Sequence, residues 1–187
     1  MARPKRKANT SQLLTAMRDH RLIRFSRRFE DGPIRGYVLD VGPRFFLLAL
    51  VSDRIRLDGF ECFRISDVKN LKPDPFAAFA EAALKKRGLR RPKKPRISVA
   101  SIDSLLLSAA RSFPLVTIHA ESSDPDVCRI GRVVEVNRGR ISMLEINPDA
   151  KWDETPTRHR LNGITRVNFG GDYEDALKLV GGNPNPR

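Results

Sequence analysis

The side chains able to do acid–base, nucleophilic or metal chemistry are few and scattered. The three histidines, His20, His119 and His159, lie far from either cysteine and from one another, so no metal-ligand spacing exists. Cys62 and Cys128 sit inside apolar, strand-like stretches, which predicts two buried thiols in a reducing compartment rather than a disulfide framework. The acidic pairs Asp124/Asp126 and Asp153/Glu154 fall in predicted loops, where solvated charge is commoner than a general acid–base dyad. No Gly-rich phosphate loop and no nucleophile elbow occurs. The expectation is a non-enzymatic protein with no catalytic residue, no metal and no cofactor.

The cations are a different matter. Residues 1 to 96 hold 24 Lys and Arg against 10 Asp and Glu, a balance of +14; residues 97 to 187 hold 11 against 12, a balance of −1. A basic surplus on that scale predicts a polyanionic partner, and the first half of the chain is the side that attracts it. The predicted nucleic-acid contacts are Arg3, Lys5, Arg6 and Lys7 at the N-terminus and Arg24, Arg27 and Arg28 on and after the first strand. Lys85, Lys86, Arg87, Arg90, Arg91, Lys93, Lys94 and Arg96 complete them, in the segment KKRGLRRPKKPR. The positions matching Arg21, Arg24, Arg27 and Arg28 in the second half are Pro114, Thr117, Ala120 and Glu121, so the basic strand belongs to one half only. Trp152 and Tyr37 are expected to pack the rim of a small sheet rather than stack on a base. The phenylalanines, including Phe76 and Phe79, read as core.

The elements that position these groups recur. LLTAMRDHRLIRF (13 to 25) matches LLSAARSFPLVTI (106 to 118), GYVLDV (36 to 41) matches GRVVEV (131 to 136), and RISDVKNL (64 to 71) matches RLNGITRV (160 to 167). The offset drifts only from 93 to 97, reached where Phe76 meets Tyr173, which indicates a duplication with small indels in turns. Each copy reads as a helix, five short strands and a closing helix. Strands are predicted at 22–29, 34–41, 45–52, 60–65 and 68–72, then at 115–121, 128–136, 140–147, 156–161 and 164–168. Thr10 or Ser11 is expected to cap the first helix and Ser101 its counterpart. The closing helices are predicted at 74–87 and 172–180, with Gly88 and Gly181 as stops. Asn137 and Gly139 suit a hairpin bend, and Gly36 and Gly131 sit where a strand must bend sharply. The domain plan is a disordered basic arm at 1–9, one repeat at 10–88, a Pro-containing basic linker at 89–97, a second repeat at 98–182 and a flexible tail at 183–187.

This pattern resembles the Sm-like (LSm) family, in tandem and of bacterial type. Gly36-Tyr37-Val38 with VGPRFFLLALVSD, and Gly131-Arg132-Val133 with VNRGRISMLEINPD, take the register of that family's first motif; CFRISDVKNL and RHRLNGITRV take that of its second. The resemblance implies an α+β fold of two five-stranded, strongly bent barrels flanked by short helices, an oligomeric habit, and RNA as ligand. The family's base-contacting residues are not all in place. Gly42 and Leu47 fall at their places in the first copy; in the second Asn137 fits the first place but Ser142 arrives one residue late, and Ser66-Asp67 and Asn162-Gly163 replace its Arg-Gly pair.

The function expected is nucleic-acid binding, RNA ahead of DNA, by phosphate contacts through the first repeat and the linker. The alternative is a structural or interaction module that assembles through strand edges as a homo-oligomer, its charge serving solubility or an acidic partner. No apolar run approaches the length of a transmembrane helix and no apolar segment follows the basic N-terminus, so no membrane partner is expected and the cytoplasm is the expected location.

Overall fold

The computed structural model describes residues 3 to 184 and is of mixed α+β class. The chain divides between Pro95 and Arg96 into two compact units. The part of the expected tail beyond 184, like Met1 and Ala2, lies outside the described residues.

The first unit runs α1 (Arg3–Arg18), β1 (Leu22–Arg27), β2 (Glu30–Val41), β3 (Phe45–Val51), β4 (Leu57–Arg64), a 3-10 turn (Ile65–Asp67), β5 (Val68–Pro73) and α2 (Ala77–Lys86). Its strands are antiparallel in the order β5-β1-β2-β3-β4. Strands β1 to β3 contribute to two apolar sets, because successive side chains leave a strand on opposite faces. Ile23, Phe25, Val38, Phe46, Leu48 and Phe63 pack beneath Leu13 and Ala16 of α1. Leu22, Tyr37, Ala49 and Val51 pack beneath Ala80 and Leu84 of α2. A sheet covered on both faces explains why β3 is buried along nearly its whole length.

The second unit repeats the order: α3 (Ile102–Ser112), β6 (Val116–His119), β7 (Cys128–Asn137), β8 (Arg140–Glu145), β9 (Thr157–Arg160), a 3-10 turn (Leu161–Gly163), β10 (Arg166–Phe169) and α4 (Asp172–Gly181). Its strands run β10-β6-β7-β8-β9. Ser101 caps α3 in a reciprocal capping box with Ser104, as its residue type predicts. Equivalent glycines sit at equivalent crossings: a Cβ on Gly36 would stand 2.3 Å from the Ala49 carbonyl oxygen, and one on Gly131 would stand 2.2 Å from that of Leu144. Both β2 and β7 then bulge two to four residues later, between Val38 and Asp40 and between Val133 and Glu135, which bends each strand at the same place.

Several expectations need correction. The two closed five-stranded barrels are not present. Within each unit the sheet is open, because the 3-10 turn carries the chain away from β4 and across to the far side of β1, leaving three strands between β4 and β5; β9 and β10 are separated in the same way. Strand number and length do not decide closure, which depends on register around the sheet. Residues 3–9, expected as a disordered arm, continue α1. Buried Asn9 ties that segment down by donating from Nδ2 to the carbonyls of Val68 (3.2 Å) and Ile65 (3.4 Å). Thr10 donates back to the Arg6 carbonyl within the helix and caps nothing. Phe76 and Phe79 are 61% and 67% exposed, since the i, i+4 pair Ala80 and Leu84 forms the buried stripe of α2 and both rings fall outside it. Cys62 is buried but Cys128 is exposed. Gly88 does stop α2: with φ +72° it lets Leu89 donate back to the Leu84 carbonyl (3.0 Å). The α4 stop falls one residue beyond Gly181, at Gly182.

Candidate nucleic-acid interface

Strand turns gather arginines at one end of the first unit's sheet. Phe45 pairs with Arg64 across β3 and β4, and the Ile65 amide donates to the Arg44 carbonyl (2.9 Å), which sets Arg44 beside Arg64. Arg28, just past β1, donates its amide to the Asp67 carbonyl (2.9 Å) in the 3-10 turn. Arg6 of α1 donates a guanidinium hydrogen to the Pro43 carbonyl (2.8 Å) in the β2–β3 turn. Four arginines thus reach one edge from four elements. The Asp67 carboxylate lies 3.9 Å from the Arg64 guanidinium. Partial burial holds the Arg64 guanidinium below its ordinary range; Asp67 opposes that, and the positive charges of Arg44, Arg28 and Arg27 add to it. Cations held near one another favour an incoming anion.

A second group crosses the sheet. Arg24 on β1 stands opposite Arg35 on β2 and opposite Lys72 on β5, three cations in one cross-strand row. Among the described residues only Arg35 of the three has a carboxylate within ion-pair distance, buried Asp74 at 3.3 Å, which also accepts from the Phe76 amide (2.7 Å) at the start of α2.

The predicted contacts divide. Lys5, Arg6, Lys7, Arg28, Lys85, Lys86, Arg90 and Lys93 are exposed, and Arg24 is half-buried. The side chain of Arg3 lies outside the described residues. Arg27 is not a surface cation: its side chain is fully buried, paired with Glu30 (3.1 Å) and stacked over Phe63 (4.9 Å). Arg87 holds the β3–β4 loop, donating to the carbonyls of Arg54 and Ile55 (2.6 Å each). Arg91 lies over the Tyr37 ring (5.1 Å) and Lys94 pairs with Asp40 (2.6 Å), so both are spent on fixing the basic segment along β2. Arg96 is exposed and opens the second unit. Arg44 and Arg64 escape the sequence reading; of the two only Arg64 has an arginine at its matching position in the second copy, Arg160.

Burial, then the negative charge of Glu61 and Asp40, pushes the Cys62 thiol well up, opposite to what a nucleophile needs. Tyr37 is pushed up to about 12, first by burial and then by Glu81. Trp152 packs against the second unit's core and donates Nε1 to the Gly181 carbonyl (3.0 Å). Among the described residues no group of three or more His, Cys, Asp or Glu could hold a metal, and no helix is long and apolar enough to cross a membrane. Comparison with protein-family models, with curated proteins and with solved structures finds no match for this chain.

Proposed function

We propose that the chain is a non-enzymatic nucleic-acid-binding protein that holds the phosphates of RNA, in preference to DNA, on its first unit and the basic segment that follows. The observation that supports it most is the convergence of Arg6, Arg28, Arg44 and Arg64 on one edge. Guanidinium forks match phosphate geometry, and neutralising a backbone releases its counterions. Lys85, Lys86, Arg90 and Lys93 of the basic segment are exposed as further cations of this unit. RNA stands ahead of DNA on the sequence resemblance alone. Two free thiols, one exposed, fit a reducing compartment, and the cytoplasm is the location this reading adopts.

The competing reading, assembly through strand edges, has charge against it. One edge strand of the first unit, β5, carries Lys69 and Lys72, and one edge strand of the second, β9, carries Arg158 and Arg160. Cations on edges discourage pairing with another strand.

The test is anisotropy of a labelled single-stranded RNA of about 16 nucleotides, with the same sequence in DNA, from about 50 to 200 mM salt. Affinity is expected to fall steeply with salt. Replacing Arg28, Arg44 and Arg64 by Gln is expected to flatten the log–log slope by about 2, at about 0.7 for each phosphate no longer neutralised. Absence of binding near physiological salt, or affinity independent of salt, overturns the reading.

A further inference from the structure

The second unit has almost no net charge, yet its arginines are not evenly spread. Arg140 on β8 stands directly opposite Arg160 on β9, and Ser142 stands opposite Arg158. Residues two apart share a face, so Arg140, Ser142, Arg158 and Arg160 line the outer face of this strand pair. The inner face of β8 is Ile141 and Met143, both fully buried. The β7–β8 turn adds Arg138, with φ +49°, followed by Gly139 at φ +72°, a two-residue turn closed by the pair Asn137 and Arg140. All four arginines are exposed, and among the described residues none has a carboxylate within ion-pair distance.

Two features set this face apart from a solvated surface. Like charges directly opposite one another on a sheet are destabilising, and Arg140 and Arg160 tolerate it without a carboxylate to screen them. The first position of such a turn favours Asn, Asp or Gly, and the chain places Arg138 there. Neither choice is made by local stability. The matching strand pair of the first unit is Phe45, Leu47 and Cys62 with Arg64, and its three apolar members are buried. The polar face therefore belongs to the second unit alone.

A cleft of about 270 Å³ opens on this face, lined by Glu135, Asn137, Arg138, Arg140, Ser142 and Arg158. A second of about 450 Å³ also borders Arg158, and extends to Arg160. Asn137 donates to Glu135 (3.2 Å), which occupies the one carboxylate of the first cleft. Arg129, in the second, is engaged by Asp124 (3.6 Å) and Glu145 (3.9 Å) and does not count among the free cations.

We propose that the outer face of β8 and β9 is a second phosphate-binding surface, where Arg138, Arg140, Arg158 and Arg160 hold successive phosphates of a single-stranded nucleic acid. Neighbouring strands set side chains about 5 Å apart, and residues two apart on a strand are about 6.7 Å apart. That lattice is close to the phosphate step of an extended single strand. Guanidinium is the group suited to bidentate phosphate contact, and the Ser142 hydroxyl and Asn137 amide supply neutral donors beside it. The proposal rests on the nucleic-acid reading for its ligand class but uses none of the first unit's residues.

The test uses the full chain, a single-stranded RNA of about 16 nucleotides, and two variants. One replaces Arg138, Arg140, Arg158 and Arg160 by Gln; the other replaces Arg28, Arg44 and Arg64 by Gln. The second-unit variant is expected to melt at or above the wild-type temperature, since like-charge repulsion is removed, while its affinity at low salt drops at least about ten-fold and its salt slope flattens by about 3. Amide shifts of residues 138–142 and 158–160 on titration with the RNA locate the contact. Unchanged affinity and slope in the second-unit variant overturn the proposal, as does equal displacement by poly-glutamate of matched charge, which would assign the face to acidic peptides. Weakened binding in this variant but not in the first-unit variant overturns the first-unit reading and leaves this one standing; no binding by the wild type overturns both.

Discussion

The Arg27 guanidinium lies 4.9 Å above the Phe63 ring, in the core of the first unit rather than on its surface. Phe25 and Phe46 complete the aromatic cluster around that ring, with centroids 5.3 and 5.8 Å from Phe63. The charge is paired with Glu30, whose side chain is 41% exposed and can return to water if the pair is broken. Replacing Arg27 by Ala therefore removes packing and a cation–π contact more than it strands a charge. The expected cost is about 3 kcal/mol in the unfolding transition of the first unit, read by urea denaturation. The salt slope of RNA binding by the folded variant should match the wild type. A flattened slope would return Arg27 to the phosphate-binding set.

Gly36 and Gly131 test whether the two units share one internal geometry. Each lies against the backbone of the adjacent strand, so an added methyl meets atoms that cannot rotate away. Either glycine replaced by Ala is expected to destabilise its own unit by about 2 kcal/mol or more. Gly32 has nothing within 4 Å of its would-be Cβ, and Gly32→Ala should stay within about 0.5 kcal/mol of wild type. Urea melts of the three variants decide it; a neutral Gly131→Ala would remove the close crossing from the account of the bend.

The ten strands and four helices of the described residues were legible because their signals are local: β-branched and aromatic runs, a Ser before an apolar helix, Asn-Arg-Gly at a hairpin, Gly after a cationic helix end. What stayed hidden depends on contacts between distant residues. Asn9 looks like part of a polar arm until the carbonyls of Ile65 and Val68 are placed beside it. Arg27 looks like its neighbour Arg28, yet the bulge opposite Phe25 and Arg27 helps aim it inward, onto Phe63. Phe76 and Phe79 look like core by type, whereas the packing stripe of α2 runs through smaller Ala80 and Leu84. Net charge hid the second unit's arginines, because the sum of +11 and −12 runs over every face at once, while β8 and β9 put four cations on one.

The basic segment after α2 is docked, and its docking can be undone. Lys94 reaches Asp40 (2.6 Å), which also accepts from the Val41 amide (2.9 Å), and Arg91 covers Tyr37. Asp40→Asn weakens the first tether without touching the segment's own residues. Trypsin is expected to cut between 90 and 95 several-fold faster in this variant, because cleavage follows the population of the undocked segment. An unchanged cleavage rate would leave Arg91 on Tyr37 as the contact that holds the segment.

Tyr37 links stability of the first unit to alkaline pH. Only 4% exposed, with its hydroxyl 3.5 Å from Glu81, it is pushed up to about 12 from an ordinary value of 10.0. The folded state thus holds the phenolic proton more tightly than the unfolded chain does. That preference is complete below about 10, where both states are protonated, and is lost as pH rises from about 10 through about 12. Lysines titrate over the same range, so the quantity to measure is the difference between wild type and Tyr37→Phe. At pH about 9 the two should be equally stable within about 1 kcal/mol, since the hydrogen bond removed is long. At pH about 11.5 the Phe variant should be the more stable by about 2 kcal/mol, because only the wild type has a buried phenol to ionise on unfolding. Urea melts at the two pH values read the difference directly, and a constant gap between the proteins would show that the Tyr37 environment does not disfavour the phenolate.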